Sequence, residues 1–392
     1  MSLTRSFGTL LTVFATTLAV GCSGSGTDGD PGLDLPNRRP IFEAAGRRLG
    51  YVANRNSDSV SVLDLDAMTL LGSVPVGRVP VDIDGPRHIV LDPANRLAYV
   101  ALSYPFANTS VHALSEGATQ RSGYVQALNL SDLSIAGDLR VDPNVWDVAF
   151  SPTTGKLAVS HFDTYRALNA DPDARRANLA LIDSASAIAK DQARLQRVPL
   201  CAAPSSLAFD SDGARAFVAC TGEDSIAVID SRSGEVLSRV PAGSSAVNKP
   251  YALVIEPARK RLLVSNQVSF AVSVFDLSDT PNLLSTLPNI PGVPMFAALV
   301  SETTLLVPFQ APDGVTLFDL TTGEELLEVQ YSDQDCRNPS EVSISSDSRI
   351  HLVCEGDHYH PGAVVELDPD TLAIESSVSV ELYPERLSIS EP

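Results

Sequence analysis

Beyond residue 40 the chain alternates short apolar segments with polar turns, and this pattern repeats. In residues 48–77 (RLGYVANRNSDSVSVLDLDAMTLLGSVPVG) a β-branched segment is followed by a polar turn and two further apolar segments. The next stretch, RHIVLDPANR, adds an apolar segment that closes in a Pro/Asn turn, after which RLAYVAL restarts the cycle. Short segments of this composition, bounded by turn residues, are typical of β-strands.

Each kind of strand recurs seven times along the chain. The RLAYV strand recurs as KLAVSH, RAFVAC, RLLVSN, TLLVPF and RIHLVC, and the strand after the turn as WDVAF, SSLAF, YALVI, FAALV, SEVSI and ERLSI. A period of about 45 to 60 residues is typical of four-stranded propeller blades. Such strands cannot bury their apolar faces alone, whereas blades stacked around an axis bury them and leave few exposed edges. We therefore predict an all-β fold, a single seven-bladed β-propeller of four-stranded blades, in preference to a β-sandwich or two domains.

The two ends of the repeat predict how the ring closes. The N-terminal part supplies only the three outer strands of the first blade, and the missing innermost strand is matched by residues 385–389, ERLSI. A competing assignment gives this strand to residues 40–43, but ERLSI matches SEVSI more closely. We therefore predict that the C-terminal strand joins the first blade.

The repeat resembles the YVTN β-propeller family. The resemblance rests on YVAN at residues 51–54, the Asp-Leu and Ile-Asp strand ends, the VPVG segment and the P-x-x-hydrophobic start of each innermost strand, and it covers residues 47–390. It implies the propeller fold. Its members include binding proteins, surface proteins, lactonase-like enzymes and redox enzymes, so the resemblance does not select an activity.

The N-terminal segment predicts export. Residues 1–21 carry one basic residue, Arg5, and then an uncharged stretch that is typical of a signal peptide and short for a membrane-spanning helix. The segment AVGC, which ends at Cys22, resembles the lipobox of bacterial lipoproteins, which implies that Cys22 is lipidated. Residues 23–30, SGSGTDGD, have the composition of a flexible tether.

These features divide the chain into three parts and place it in the cell envelope. We expect a lipoprotein signal peptide at 1–21, the lipidated Cys22 with its tether at 22–40, and the propeller at 41–392. The lipid would attach the protein to a membrane. Ser23 is not Asp, which by resemblance to enterobacterial sorting rules implies the outer membrane.

Composition narrows the partners and the redox state. The net charge is −20, with 48 acidic and 28 basic residues and no Lys/Arg block, which disfavours nucleic acid as a partner. A hydrophobic fraction of 44% supports a folded protein. We expect this protein to be a monomer. Cys201 and Cys336 each stand three residues before a strand-starting Pro, and Cys220 and Cys354 each end an equivalent strand. Because the loop before an innermost strand and the end of the next strand meet at one face of a blade, we predict the disulfides Cys201–Cys220 and Cys336–Cys354, each within its own blade. The rival, a four-thiolate zinc site, is disfavoured because its ligands would have to span blades four and seven.

Candidate chemistry lies on the face that carries the loops entering the innermost strands, termed the top face. The residues directly before the apolar run of each innermost strand lie near the channel entrance: Arg386, His88, Asp147, Ser206, Ala252, Phe296 and Glu341. His161 ends a second strand on or near the same face, and His358 and His360 follow in the loop EGDHYH. Clusters of His and carboxylates suit a divalent metal ion or acid–base chemistry, or they line a wet channel and hold loops.

Two classes of function are compatible with the sequence. The first is a binding or scaffold module that uses its top face, including the long loops 103–123 and 162–178, with no cofactor and an unidentified protein or small-molecule ligand. The alternative is a lactonase- or lyase-type envelope enzyme, or a metal-binding protein, with the His/carboxylate cluster at the channel mouth. The chain contains no H-E-x-x-H, C-x-x-C-H or G-x-S-x-G motif that would identify a reaction.

Overall fold

The computed structural model describes residues 42, 46–77, 84–103, 122–171 and 174–392. In this part of the chain the strands form seven antiparallel sheets that follow one another around a ring, a β-propeller. This confirms the predicted fold class.

Each blade has four antiparallel strands that follow one another from the channel outward. The first three blades are β29 (Pro384–Ser390), β1 (Leu49–Asn54), β2 (Ser59–Asp64) and β3 (Thr69–Pro75); β4 (Pro86–Asp92), β5 (Leu97–Leu102), β6 (Gly123–Asn129) and β7 (Ile135–Val141); and β8 (Val145–Ser151), β9 (Lys156–His161), β10 (Arg176–Asp183) and β11 (Gln196–Ala202). Blades four and five are β12 (Pro204–Phe209), β13 (Arg215–Cys220), β14 (Ser225–Asp230) and β15 (Val236–Pro241); and β16 (Pro250–Glu256), β17 (Arg261–Asn266), β18 (Ala271–Asp276) and β19 (Leu283–Leu287).

Of the last two blades, blade six has a divided innermost strand and blade seven has a continuous one. They are β20 (Val293–Pro294) with β21 (Ala298–Leu299), β22 (Thr304–Gln310), β23 (Gly314–Asp319) and β24 (Glu325–Gln330); and β25 (Pro339–Ile344), β26 (Ile350–Cys354), β27 (Pro361–Leu367) and β28 (Ile374–Leu382). The innermost strand of blade six is split between β20 and β21. At the break, Phe296 forms a parallel bridge to Glu341 of blade seven, so two innermost strands are joined directly.

The helices lie in connections between strands. They are the α-helices α1 (Thr164–Asn169) and α2 (Ser184–Ala189) and the 3₁₀ helices Pro93–Asn95, Gln192–Arg194 and Thr221–Glu223. Within the described ranges, no helix has the length and apolar character that crossing a bilayer requires.

The core lies between neighbouring blades. Tyr51 and Val62 of blade one, for example, share a buried cluster with Ile89 and Val100 of blade two. Middle strands such as β1 and β5 are buried along their whole length because both of their faces meet a sheet. An outermost strand such as β15 instead alternates partly buried and exposed positions, since one of its faces meets water.

The C-terminal strand closes the ring as predicted. β29 pairs with β1 from Leu49 opposite Ser390 to Ala53 opposite Arg386. Of the competing segment 40–43, the structure describes only Phe42, whose N–H donates to the Ser131 carbonyl of blade two at 2.7 Å. On the opposite face the closure is reinforced by Arg48, which binds three carboxylates, Asp66, Asp347 and Glu391.

Both predicted disulfides are present, but one of them lies differently in the fold than expected. The Cα atoms are 5.8 Å apart in Cys201–Cys220 and 5.2 Å apart in Cys336–Cys354. Cys336 lies in a loop before blade seven, as expected, and is bonded to its own blade. Cys201, in contrast, belongs to β11, the outermost strand of blade three, so its disulfide joins blade three to blade four. The expectation that this disulfide stays within one blade was wrong because Cys201 lies in β11 itself and not in a loop that belongs to blade four.

Candidate functional site

A β-bulge begins each of six innermost strands at the top face. On β4, Pro86 pairs with Leu102 and Ile89 pairs with Val100, so one residue more is accommodated on β4 than on β5. The same shift occurs on β8, β12, β16, β25 and β29. A bulge re-aims side chains and is common next to functional sites. In this propeller it lets two consecutive residues of one strand reach the channel mouth.

The bulges produce two layers of side chains. The lower ring contains the seven positions singled out in the sequence, from Arg386 and His88 round to Glu341. The upper ring consists of the residue before each of them: Glu385, Arg87, Trp146, Ser205, Tyr251, Met295 and Ser340. Sequence reasoning identified the lower ring but not the upper one, although six of the seven upper-ring residues directly follow the Pro of a P-x-x-hydrophobic motif; Trp146 follows Val145 instead.

The lower ring holds a continuous ionic network. The Asp147 carboxylate contacts His88 Nδ1 at 2.7 Å and Arg386 Nη1 at 3.2 Å, and it accepts from the Leu207 N–H at 3.2 Å. Arg386 Nε donates to Glu341 at 2.6 Å. Four of the predicted candidates, contributed by blades one, two, three and seven, are therefore in contact.

The charges of this network compensate one another. Burial opposes ionisation of Asp147, but Arg386 and His88 outweigh that effect and hold its pKa at about 2. Burial likewise disfavours the charged form of Arg386, but Glu341 and Asp147 more than offset it and raise the pKa of the guanidinium. The network is thus a closed set of charges that ties four blades together at the channel.

Above this network lies a cavity of about 200 Å³, termed the top pocket. Its walls combine arginines, carboxyl groups, amides and aromatic rings from both rings and from top loops: Arg87, Trp146, Tyr251, Gln267, Met295, Phe296, Gln310, Asn338, Ser340, Glu355, His358, Tyr383, Glu385 and Arg386. Two predicted candidates, His358 and Arg386, are among these residues.

One wall of the top pocket is built from arginines stacked on aromatic rings. The Arg87 guanidinium lies 3.6 Å from the Trp146 ring centre, and that ring packs against Phe162 at 4.5 Å. Arg386 lies 3.9 Å from the ring centre of Phe296, and Tyr251 stands between Phe296 and Trp146. Such cation–π contacts stabilise buried guanidinium groups. Trp146 thus forms part of the pocket wall.

Arg87 is paired with a carboxylate, but not all of its N–H groups are hydrogen-bonded to described residues. Its Nη1 donates to both carboxylate oxygens of Glu385, at 2.8 and 3.1 Å, and Arg55 contacts the same carboxylate at 3.3 Å. Burial lowers the pKa of Arg87 although Glu385 favours its charged form. The buried Nε–H of Arg87 has no hydrogen-bond partner among the residues that the structure describes. Two guanidinium groups, those of Arg87 and Arg55, thus share the Glu385 carboxylate.

The top pocket is also lined by a buried carboxyl group, Glu355, which directly follows blade seven's second strand. Its residue is 7% exposed, and its carboxyl contacts His358 Nε2 at 2.9 Å. The His358 ring is stacked on Tyr383 with 3.6 Å between ring centres. Burial raises the pKa of Glu355 to about 7, because the contact with His358 only partly offsets the loss of water.

The structure separates the remaining candidates from the pocket. His161 is buried, its Nδ1 lies 2.7 Å from the Asn178 carbonyl, and burial lowers its pKa. His360 is exposed and pairs with Asp357 at 2.8 Å. Within the described ranges no three His, Cys, Asp or Glu side chains are grouped so that they could hold a metal ion.

Of the two long top loops, the second contributes to the site. Its Asp163 caps α1 by accepting from the Arg166 N–H at 2.8 Å, and Phe162 packs on Trp146, so this loop supports the pocket wall. Residues 104–121 of the first loop, and the predicted lipidation site Cys22, lie outside the described residues.

No family model and no curated protein sequence matches this chain. Solved structures do. The periplasmic gluconolactonase PpgL of Pseudomonas aeruginosa is 15% identical with a TM-score of 0.65, over 88% of this chain and 100% of that one. The dihydro-haem d1 dehydrogenase NirN is 18% identical with a TM-score of 0.57, over 90% and 77%. AztD from Citrobacter koseri is 12% identical with a TM-score of 0.57, over 88% and 98%. At these identities the likeness establishes that the chain shares the seven-bladed propeller fold with these proteins.

Proposed function

We propose that this protein is a cell-envelope β-propeller that binds an uncharged, hydroxyl-bearing ring compound in its top pocket. The observation that carries the proposal is that the arginines of the pocket are already paired, Arg87 with Glu385 and Arg386 with Glu341 and Asp147. Among the residues that the structure describes, the pocket therefore offers hydrogen bonds and aromatic faces but no unpaired guanidinium group for an anionic ligand.

An uncharged ring suits these walls better than an ion does. A carboxylate ligand would lose its hydration in the cavity without an unpaired guanidinium group to bind, and an ammonium ligand would be repelled by Arg87 and Arg386. Hydroxyl groups can instead hydrogen-bond to Glu355, while an apolar ring face packs on Tyr251 or Phe296. A volume of about 200 Å³ limits the ligand to a small molecule.

The single tryptophan provides a direct test, because Trp146 lies in the pocket wall and is the only Trp of the chain. We expect its fluorescence to respond to neutral sugars or sugar lactones, with tenfold weaker binding of the matching sugar acid and amino sugar. Tyr251→Ala should weaken binding about tenfold, which corresponds to one aromatic contact of ~1.4 kcal/mol.

The matched control is Tyr359→Ala, which removes a ring from the same face that is 85% exposed and should leave binding unchanged. A fluorescence response to the charged compounds alone, or to none of the compounds, would contradict the proposal.

The envelope location and the N-terminal anchor belong to the same proposal. We place a signal peptide at 1–21, a lipidated Cys22 with its tether at 22–40 and a monomeric propeller of the YVTN type at 41–392, attached to the outer membrane and without a nucleic-acid partner. Two disulfides favour an oxidising compartment. The fold likeness to a gluconolactonase that is described as periplasmic supports the same location.

A second candidate function is lactonase-type hydrolysis in the same pocket. It is favoured by the buried Glu355 carboxyl, since a carboxyl with a pKa of about 7 is suited to taking up and returning a proton at neutral pH. PpgL, one of the solved structures with this fold, is described as a gluconolactonase.

A further inference from the structure

We propose that the amide oxygens of Gln310 and Asn338 select the ligand of the top pocket, each by accepting a hydrogen bond from one of two neighbouring hydroxyl groups on the ligand's ring. This inference rests on the proposed binding function and names the feature by which the ligand is recognised. Both residues line the top pocket, Gln310 from the end of β22 in blade six and Asn338 from the loop before β25 in blade seven.

The position of Asn338 follows from its backbone conformation. The residue directly precedes β25 and has a positive φ of 51°, a left-handed conformation that Asn tolerates better than most residues. Positive φ values also occur at the matching position of five other blades, at Gly85, Asn144, Ala203, Lys249 and Tyr383. At this point the chain turns from a loop into an innermost strand. Of these residues, Asn338 and Tyr383 line the top pocket.

The orientation of the Asn338 amide group is fixed by the backbone around it. Its Nδ2 donates to the Gly356 carbonyl at 2.8 Å. The residue is also held by its own backbone, because its N–H donates to Asp313 Oδ2 at 2.9 Å and its carbonyl accepts from the Glu355 N–H at 3.1 Å. Since a backbone carbonyl only accepts hydrogen bonds, the amide must turn its NH₂ group towards Gly356. Its Oδ1 is thereby left as an acceptor for another group.

Gln310 repeats this arrangement on the neighbouring blade. Its Nε2 donates at 3.3 Å to the carbonyl of Pro339, the residue that follows Asn338, so its Oε1 is likewise left as an acceptor. Within the described ranges neither amide oxygen accepts a hydrogen bond, and neither is a fully buried atom. Because one amide belongs to residue 338 and the other is bonded to residue 339, the two acceptors are neighbours.

Two uncharged acceptors select a ligand by its hydroxyl hydrogens. A hydroxyl group can donate to an amide oxygen, whereas an ether or carbonyl oxygen has no hydrogen to donate and would leave the amide oxygen unpaired. Hydroxyl groups on adjacent ring carbons lie side by side, as the two acceptors do. The rings of Tyr251 and Phe296 line the same pocket and can contact the apolar face of the ligand. The ligand class is therefore a neutral ring with a vicinal diol, such as a pyranoside.

The first test replaces single hydroxyl groups of the ligand. Binding of methyl glucoside, methyl galactoside and methyl mannoside is followed through Trp146 fluorescence, and the best of them is compared with its monodeoxyfluoro derivatives. Fluorine takes the place of one hydroxyl group at similar size but has no hydrogen to donate. We expect about tenfold weaker binding for two derivatives whose fluorine atoms are on adjacent ring carbons. If no two adjacent positions are sensitive, the inference is wrong.

The second test removes one acceptor at a time. Gln310→Met keeps the length of the side chain without its amide, and Asn338→Gly removes the amide at a position whose positive φ suits Gly. Each variant should bind the parent glycoside about tenfold more weakly than the wild type does.

Each variant should, however, bind one of the two sensitive derivatives as tightly as the wild type does, because the hydrogen that its amide would accept is already absent. That derivative should differ between Gln310→Met and Asn338→Gly. A merely structural role for the amides would weaken the binding of every compound alike. The matched control Gln330→Met makes the same change at an exposed position of blade six and should leave the binding of every compound unchanged.

The outcomes distinguish this inference from the binding proposal. If the glycosides change Trp146 fluorescence but Gln310→Met and Asn338→Gly alter the binding of the parent and of all derivatives by the same factor, the amides do not select the ligand and the binding function stands. The same conclusion follows if neutral lactones change the fluorescence and glycosides do not. If no neutral sugar, lactone or glycoside changes it, both proposals are wrong.

Discussion

At the scale of single residues, most buried charged groups of the described chain form ion pairs or ion-pair networks. Asp147, Arg386 and Glu341 compensate one another at the channel, and Arg48 is surrounded by three carboxylates on the opposite face. Two described residues depart from this rule, Glu355 in the pocket and His351 in β26. His351 is fully buried, and neither of its ring nitrogens has a hydrogen-bond partner in the described part of the chain.

His351 should make the stability of the fold depend on pH. Burial lowers its pKa to about 4 in the folded protein, whereas it is about 6.5 in the unfolded chain. Between these two pKa values the unfolded state binds a proton that the folded state does not bind. The free energy of unfolding therefore falls as the pH drops from about 6.5 towards 4. Between pH 7 and pH 5 this residue should account for about 2 kcal/mol of lost unfolding free energy.

Urea unfolding of His351→Leu at both pH values tests this expectation. The loss of stability between pH 7 and pH 5 should be about 2 kcal/mol smaller in the variant than in the wild type. His360→Gln changes an exposed histidine instead and should leave the pH dependence as it is. An equal loss in His351→Leu and wild type would contradict the effect of burial.

At the scale of elements, the bulge at the start of an innermost strand brings two consecutive side chains to the channel mouth. The bulge inserts one residue, so that Arg87 and His88, or Trp146 and Asp147, reach the channel mouth together. The same feature on β29 places Glu385 in the top pocket and Arg386 in the ionic network below it. The strand that closes the ring thus also contributes to both layers of the site.

Deletion of residues 385–392 should therefore affect both stability and the pocket. It removes buried Leu387, exposes the edge of β1 and leaves Arg87 without its carboxylate partner, so we expect a largely aggregated protein. Size-exclusion chromatography and a melting curve would show this.

The control is deletion of Glu391 and Pro392 alone. It keeps the β29 pairs and leaves Arg48 with Asp66 and Asp347, so it should cost no more than about 1 kcal/mol. If the longer deletion stays soluble with an unchanged melting temperature, β29 does not carry the closure.

At the scale of the whole molecule, the ring is held by contacts between its ends and across its blades. Strand β29 closes blade one, Cys201–Cys220 joins blades three and four, and Phe296 joins the innermost strands of blades six and seven. A pocket whose walls come from several blades depends on this closure, because its residues meet only when the ring is complete.

The proposed anchor also belongs to this scale. Cys22→Ser should yield an unprocessed protein that partitions into the aqueous phase of a detergent extraction, whereas the wild type enters the detergent phase because a diacylglyceryl group is strongly apolar. Ser23→Ala leaves the cysteine in place and should behave like the wild type. Partitioning of the wild type into the aqueous phase would show that no lipid is attached.

The sequence by itself determined the seven blades, the closing strand and both disulfides. These depend on repeated local patterns, in which turn residues and apolar strands recur at equivalent positions, so equivalent residues can be aligned without coordinates. It also identified the lower-ring residues His88, Asp147, Glu341 and Arg386 from their place in the motif.

Only the tertiary structure decided which of the candidates meet and what surrounds them. The β11 extension that carries Cys201 between blades, the bulges and the stacking of Arg87 on Trp146 depend on pairing and packing between distant segments. The surroundings of Glu355 involve blades one and seven, which are remote in sequence and adjacent only in the closed ring. Burial within that closure, which no local pattern encodes, gives this carboxyl its raised pKa and the top pocket its chemistry.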